Sequence, residues 1–517
     1  MHETEGVRTP AEAQQFRLLD LPPDAVEVVL SLSRPLDVLA MRETCTALHE
    51  ASRKRWVWLT VAQRTASIYG MPLSPSKCAT MSISDLERFA TTPGRSFRAL
   101  VAASGPFRAG RDALLREMHP RSEAVYTHLA GQFGFYDLIF VFPGGAYFMI
   151  TNEDEDMTLY CLHPHPKGPE QLGTLPYSAR GERNRRDDRH RGGNAVAAHQ
   201  FLQEGTVLQI VTWGKTSCAA EPWKISVFNV ALEGKKTGFR LVASTSIPLR
   251  LEYMRNGISL FDTRIAIADD SRIVVWDFAL DRRVSWTHSW DTMVDQRVLL
   301  HENRVLLTGL ILDPAGHLMS FGPFNASPVA QKPGVRAKIS VFVIPAGAVG
   351  PISLWPGISM SLGQDQFVHC PRRVLPGAIL SFQVHTRRPG EEGLLHTYTL
   401  RRDLESTRRS PAHLTVPPAP GGDEHFAESS AIMMTACDVG EIYFEGQGNP
   451  GFTGDMNVHL AWPGQSEEQV LHRASVRLVQ SLQFRALGSR MCRDFDAVSG
   501  RCCTLLRSGG LLVADYI

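Results

Sequence analysis

A chain of 517 residues is long enough for three or four ordinary domains, or fewer when one of them is a large all-β unit. Hydrophobic residues make up 43% and charged residues 21%, close to a soluble globular average, which excludes a disordered chain or a coiled coil as a description of the whole. Lys and Arg number 54 against 53 Asp and Glu, a net charge of +1, so no global field argues for nucleic acid or an anionic membrane surface as partner.

In chain order, Met1 to Gln15 is polar and acidic, which excludes a secretory signal there, and residues 1–16 are expected to be a disordered N-terminus. Residues 17–65 read as a small helical bundle. Leu21-Pro22-Pro23-Asp24 opens the first helix, with proline where a missing N–H costs nothing, and Val26, Val29 and Leu30 recur at helical spacing. Pro35 stops that helix or begins the next. From Leu36 the positions Leu39, Ala40, Cys45 and Leu48 predict one amphipathic helix, and Trp56, Trp58, Leu59 and Ala62 a third. The Pro/Ser-rich stretch Met71 to Lys77 reads as a break within a connector of residues 66–119, which carries a further helix capped near Ser84 with Leu86 and Phe89 on its inner face.

Beyond residue 120 the period changes to short alternating runs between Gly, Pro, Asn and Asp clusters, so residues 120–517 are predicted to be β. One element recurs there, an alternating strand ending near Cys161, Asn229, Asp277, Val343, Leu400, Ala461 and Asp515, at intervals of 48 to 68 residues. Those intervals exceed an ideal WD repeat of roughly 40 to 45 residues, as insertions into four-stranded blades would require. The signal is strongest in Ser271 to Phe278, which contains Trp276-Asp277, and in Phe495-Asp496-Ala497-Val498-Ser499-Gly500-Arg501. The expected fold is therefore α+β: a helical bundle, a helical connector and an antiparallel β-propeller of seven blades. Because Tyr516 is the penultimate residue, closing such a ring requires a strand near residues 120–150 to lie beside the last one.

The stretch Leu21 to Leu59 resembles the F-box. Leu21-Pro22 matches that family's opening, Asp37-Val38-Leu39 its central Asp-Leu-Leu step, Thr44-Cys45-Thr46-Ala47-Leu48 its Val-Cys-x-x-Trp step, and Arg55-Trp56-Val57-Trp58-Leu59 its closing Leu-Trp. The departures are Ser33, Thr44 and Leu48 where Leu, Val and Trp are usual. An F-box followed by a divergent propeller is similar to F-box proteins of mushroom-forming fungi. The resemblance implies a non-catalytic substrate receptor whose F-box docks a Skp-type adaptor, and through it a cullin, while the propeller holds a protein target. It implies adaptor contacts at Leu21, Pro22, Val26, Val29, Leu30, Val38, Leu39, Cys45, Leu48 and Trp56. The alternative is a propeller scaffold with a drifted F-box and no ubiquitin link.

Other motifs carry less. Six arginines between Arg180 and Arg191 are interleaved with Glu182, Asp187 and Asp188 and have no aromatic neighbour for base stacking, so the run reads as a solvated loop. Residues 17–65 balance seven Lys and Arg against six Asp and Glu, which argues against a helix-turn-helix nucleic-acid binder. Glu153 to Asp156 lacks calcium-loop spacing and reads as a hairpin tip. The nine cysteines show no C-x-x-C pair, and the adjacent Cys502 and Cys503 would face opposite ways in a strand. His199, His288 and His301 show no ligand spacing, and no catalytic motif is present, so no enzyme activity, metal or cofactor is expected. Apolar runs fall short of a membrane span, and the expected location is cytosol or nucleus, with neither membrane nor nucleic acid as partner.

Overall fold

The computed structural model describes residues 18–103, 105–106, 116–126, 138–152, 156–162, 168–176, 196–215, 223–233, 238–247, 257–269, 271–288, 293–312, 335–354, 356, 358–361, 366–369, 380–386, 394–400, 432–437, 440–445, 456–463, 471–479, 493–496, 498–506 and 510–517. The expected disorder of residues 1–16, the run Arg180 to Arg191 and Glu153 to Glu155 lie outside them. The chain divides into two compact units, Met1–Ala66 with Ser76–Thr91 and Ser67–Pro75 with Thr92–Ile517.

Six α-helices come first: α1 (Pro23–Leu32), α2 (Pro35–Arg42), α3 (Thr46–Ser52), α4 (Arg55–Tyr69), α5 (Pro75–Thr80) and α6 (Ile83–Ala103). Proline occupies the first turn of α1 and of α2, where its fixed φ suits the helix. The single helix expected from Leu36 through Leu48 is instead the pair α2 and α3. Glu43 and Thr44 turn, the Thr44 hydroxyl donates to the Met41 carbonyl at 2.8 Å, and Cys45 is extended. A hydroxyl that bonds backbone locally competes with helix continuation. The cap of α6 is Ser82 rather than Ser84: its hydroxyl accepts the Asp85 N–H at 3.1 Å, and the Ser82 N–H donates back to the Asp85 carboxylate at 3.3 Å. This is a capping box, and the Ser82 hydrogen bonds hold the Asp85 carboxyl below its ordinary pKa.

The core of the helical unit gathers Val26, Leu30, Val38, Leu48, Val57, Trp58, Val61, Ala62 and Leu86, all buried. Trp58 fills its centre and donates its indole N–H to the Ser52 carbonyl at 2.7 Å. The Arg42 guanidinium lies 5.4 Å from the centre of that indole, bonds the Ser52 hydroxyl at 2.9 Å and pairs with Glu87 at 2.9 Å. One arginine thus ties α2, α3, α4 and α6 together.

The second unit holds the strands, which among the described residues form eight sheets. The first four run antiparallel in sequence order. They are Leu138–Val141, Tyr147–Thr151, Met157–Cys161 and Glu170–Leu175; Val196–Leu202, Val207–Lys215, Trp223–Ala231 and Phe239–Ile247; Ile258–Phe261, Arg264–Ala268, Arg272–Asp277 and Arg282–Thr287; and Met293–His301, Arg304–Leu312, Val335–Val343 and Ile358–Ser361. The third sheet gains a short parallel edge, Gly350–Pro351. The fifth sheet is Gln366–His369, Leu380–Thr386 and Leu394–Leu400, and the sixth is the hairpin Ile432–Cys437 and Gly440–Glu445. That hairpin lies alongside Met456–Pro463, which with Leu471–Leu478, Gly105–Pro106 and Arg116–Met118 makes the seventh. The eighth is Arg493–Asp496, Arg501–Leu505 and Leu511–Asp515, completed by Ser122–Tyr126. Ser122 pairs with Asp515 and Tyr126 with Leu511, so the last strand of the chain has the early neighbour that closure requires.

The strand endings read from the sequence fall on equivalent strands. Those at Cys161, Asn229, Asp277, Val343, Leu400 and Asp515 each lie on the third strand of a sheet, and Ala461 lies on the strand directly after the sixth-sheet hairpin. Successive sheets share apolar cores. Met149 and Leu159 of the first sheet pack with Ile210 and Val230 of the second, Val211 and Ile225 of the second with Ile267 and Trp276 of the third, and Val275 and Trp286 of the third with Leu307 and Phe342 of the fourth. Cys503, Leu511 and Val513 of the eighth pack with Ile139, Phe148 and Ile150 of the first. Cys502 points the other way, into a core with Phe495, Tyr516 and Phe97 and Leu100 of α6, as alternation along a strand dictates.

Met71 to Ser74 is no exposed linker. All four residues are buried within the strand-rich unit, with Met71 against the turn at Gly144, Pro72 and Leu73 against Gly205, and the Ser74 hydroxyl bonded to Glu233. A Pro/Ser-rich break can still pack, because proline carries no N–H to leave unsatisfied.

Candidate functional site

The residues singled out for adaptor contact divide by burial. Val26, Leu30, Val38 and Leu48 belong to the core of the helical unit. Leu21, Val29, Leu39 and Cys45 are half-buried, and Pro22 and Trp56 are exposed. The first group holds the bundle together, so only the second and third offer surface to another molecule.

Helix α1 explains the division. Val26 and Leu30 are one turn apart and face inward, whereas Ala25, Val28, Val29 and Leu32 follow the i, i+3, i+4, i+7 spacing of a second stripe. Ala25 and Val29 are half-buried, but Val28 is 47% exposed and Leu32 66%. A ten-residue helix with apolar side chains on two faces thus buries one and leaves the other only partly covered. Val28 and Leu32 were absent from the sequence-derived set, although the spacing that reveals them is present in the sequence.

Helix α4 lies against α1 on another side. The Trp56 indole N–H donates to the Glu27 carboxylate at 2.5 Å, and Arg64 donates to the carbonyls of Ser31, at 3.0 Å, and Ser33. Residues 27, 31 and 33 therefore face α4. Trp56 remains 40% exposed, while Trp58, two residues on, is fully buried. The exposed charges from Leu18 to Thr44 are Asp20, Asp24, Asp37 and Glu43 against Arg34, while Arg53, Lys54 and Arg55 are exposed immediately before Trp56.

The strand-rich unit has its own polar cluster where the eighth sheet meets the first. The buried Asp496 carboxylate accepts the Ser499 hydroxyl at 2.5 Å and the N–H groups of Ser499, at 3.0 Å, Val498, at 3.2 Å, and Gly144. Burial raises its pKa to about 6 against the opposing pull of those donors. Arg501 donates to both carboxylate oxygens of Asp515, at 2.6 and 3.1 Å, and to the Gly145 carbonyl at 2.8 Å. Gly145 has φ +62, and a Cβ there would stand 2.4 Å from the Ser499 hydroxyl. These groups pin one turn on another.

The histidines weighed as ligands serve packing. His199 sits edge-on to Phe140 and Phe142, His301 edge-on to Phe261, and His288 hydrogen-bonds the Asp269 carbonyl at 3.0 Å. Among the described residues, no group of three or more His, Cys, Asp or Glu side chains is placed to hold a metal ion, and no helix is long and apolar enough to cross a membrane. No family model matches the chain, and no curated protein is significantly similar to it.

Proposed function

We propose that the helical unit is an adaptor-docking module of the F-box type and that the strand-rich unit is a closed ring of seven blades that holds a protein target. The observation that carries the first part is that Val28 and Leu32 of α1, and Trp56 of α4, stand exposed in a unit whose first helix is preceded by Leu21-Pro22. For the ring, the support is that the strand endings recur on equivalent strands, that sheets share cores from the eighth through the first to the fourth, and that Ser122–Tyr126 completes the last sheet. The sixth hairpin and the strands beside it count as one blade, which makes seven.

In this reading the protein does no bond chemistry. It tethers a target near a ubiquitin-conjugating enzyme held elsewhere on a Skp-cullin ligase, and the rate gain comes from effective concentration. The test is co-purification of the intact, folded chain with a Skp-type adaptor. Retention of the adaptor is the expected result. A folded chain that fails to retain it would leave a ring-shaped interaction scaffold without a ubiquitin link.

A further inference from the structure

We infer that residues 348–354 fill a peptide groove on the edge of the third sheet as an internal ligand, and that an extended segment of a protein target, small or aliphatic at alternate positions, takes their place. The inference rests on the reading that the strand-rich unit holds a protein target, and it names the place and the chemistry of that contact.

Arg282–Thr287 would be the free edge of the third sheet, but Gly350–Pro351 pairs with it in parallel, Gly350 opposite Val284 and Pro351 opposite Ser285, and the Ile352 N–H donates to the Ser285 carbonyl at 2.9 Å. From 348 to 354 the chain alternates without a break: residues 348, 350, 352 and 354 are half-buried, and 349, 351 and 353 are exposed. That is the period of a strand laid along a surface. Ala348, Ile352 and Leu354 pack on the core that Val275, Val284 and Trp286 of the third sheet share with Leu307 and Phe342 of the fourth. Main-chain hydrogen bonds to a sheet edge, with alternate side chains entering apolar space, are the mode in which sheet edges bind peptides.

Three features mark this segment as a ligand of the groove rather than a strand of the sheet. It comes from another sheet: it is inserted between Val335–Val343 and Ile358–Ser361 of the fourth, where Val341 pairs directly with Ile358. A hairpin there needs only about two to five residues, and so long an excursion within a compact unit is usually functional. Its hold is slight, with two paired residues, Gly347 at φ +74 and Gly350 at φ +80 bending the chain, and the exposed Pro351 bringing no N–H to the ladder. Its fit is incomplete, since the buried Trp286 indole N–H, on the residue that comes beside Ile352 in this register, meets no acceptor among the described residues. The segment itself therefore defines the occupant: a chain running parallel to Arg282–Thr287, with a small residue at the place of Gly350 and small or aliphatic ones at those of Ala348, Ile352 and Leu354.

The experiment uses the full-length chain. In native-state hydrogen exchange the Ile352 N–H should exchange roughly a hundredfold faster than the N–H groups of Arg272–Asp277, which lie between two strands, because the segment leaves the edge without global unfolding. A fluorescent peptide of sequence Ala-Val-Gly-Pro-Ile-Ser-Leu, that of residues 348–354, should bind a variant whose residues 345–356 are replaced by a short Gly/Ser turn about tenfold more tightly than it binds the wild type, whose own segment competes at high effective concentration. Ile352→Ser should act in the same direction and more weakly, and it serves if the replacement does not fold. Exchange of Ile352 only on global unfolding, or peptide binding that is absent or equal in all three chains, overturns the proposal. A released segment that seats on a second copy would appear as a dimer in light scattering and would overturn the target assignment. Retention of a Skp-type adaptor depends on none of these readings, so loss of the groove leaves the adaptor reading standing, and a folded chain without adaptor affinity can still take the peptide.

Discussion

In the helical unit Val28, Leu32, Trp56 and Ile83 are exposed. Among the described residues of the strand-rich unit the exposed large apolar residues are Leu241, Val242, Leu280 and Val349. Leu280 lies in a turn and Val349 in the irregular segment before Gly350, and Leu241 and Val242 sit on an edge strand where the register shifts opposite Val227 and Phe228, so two successive side chains escape the usual alternation. The difference follows from how each unit finds partners for its faces. A sheet that packs between two neighbours buries both faces, as Cys502 and Cys503 do in opposite directions, whereas a bundle of short helices has too few elements to cover every face of each. Apolar surface left over in the bundle is therefore informative, and the same surface on a sheet edge is ordinary.

The largest expected effect would break the strand-rich side of the comparison. Deleting Leu511–Ile517 removes the strand between Arg501–Leu505 and Ser122–Tyr126 together with the buried Leu511, Val513, Ala514 and Tyr516. The cooperative thermal transition of the strand-rich unit should be lost, as read by circular dichroism and calorimetry. A truncated chain that melts like the parent would show that the last strand closes nothing.

Next comes the core of the helical unit. Trp58→Ala should cost about 3 to 5 kcal/mol, because it empties the centre of the bundle and strips Arg42 of the ring it lies over. Urea unfolding of the intact chain measures it.

The polar clasp between the eighth and first sheets gives a smaller, pH-dependent effect. The folded-state pKa of Asp496 is raised to about 6, above its unfolded value, so the stability it contributes is fully present below the unfolded value and is lost as pH rises through about 6. Between pH 5 and 7.5 the unfolding free energy should fall by at most about 1.4 kcal/mol on account of this group, since only about one pH unit of its titration lies above pH 5. Asp496→Asn should flatten that slope in urea titrations at a series of pH values, and an unchanged slope would assign the dependence elsewhere.

The smallest effect sharpens the contrast between the two tryptophans. Trp56→Ala should alter stability by no more than ~0.5 kcal/mol, as surface changes usually do, while Trp58→Ala is severe. Equal losses would mean that the exposed indole is part of the bundle's own support.

Local chemistry made much of this legible in advance. Prolines at the starts of α1 and α2, the alternation of strands beyond residue 120 and the recurring strand endings needed only short-range rules, and the structure places those endings on equivalent strands. Short-range rules failed where two local options were close in energy. The Thr44 hydroxyl broke a helix that spacing alone continued, and Ser82 rather than Ser84 capped α6 because Asp85 stood three residues on to reciprocate.

The candidate contact residues divide in the same way. That Val26, Val28, Val29, Leu30 and Leu32 are apolar on a helix is a property of the sequence, but which of them face the core depends on where α3 and α4 lie against α1. Trp56 and Trp58 look alike in the chain, and only packing separates them, one at the centre of a core and the other against Glu27 at its surface. The burial of Met71 to Ser74 has the same origin, since turns at Gly144 and Gly205, far along the chain, form its resting place. Secondary structure was decided by neighbours within a few residues, and the division into core and free surface by neighbours that tertiary folding alone brings together.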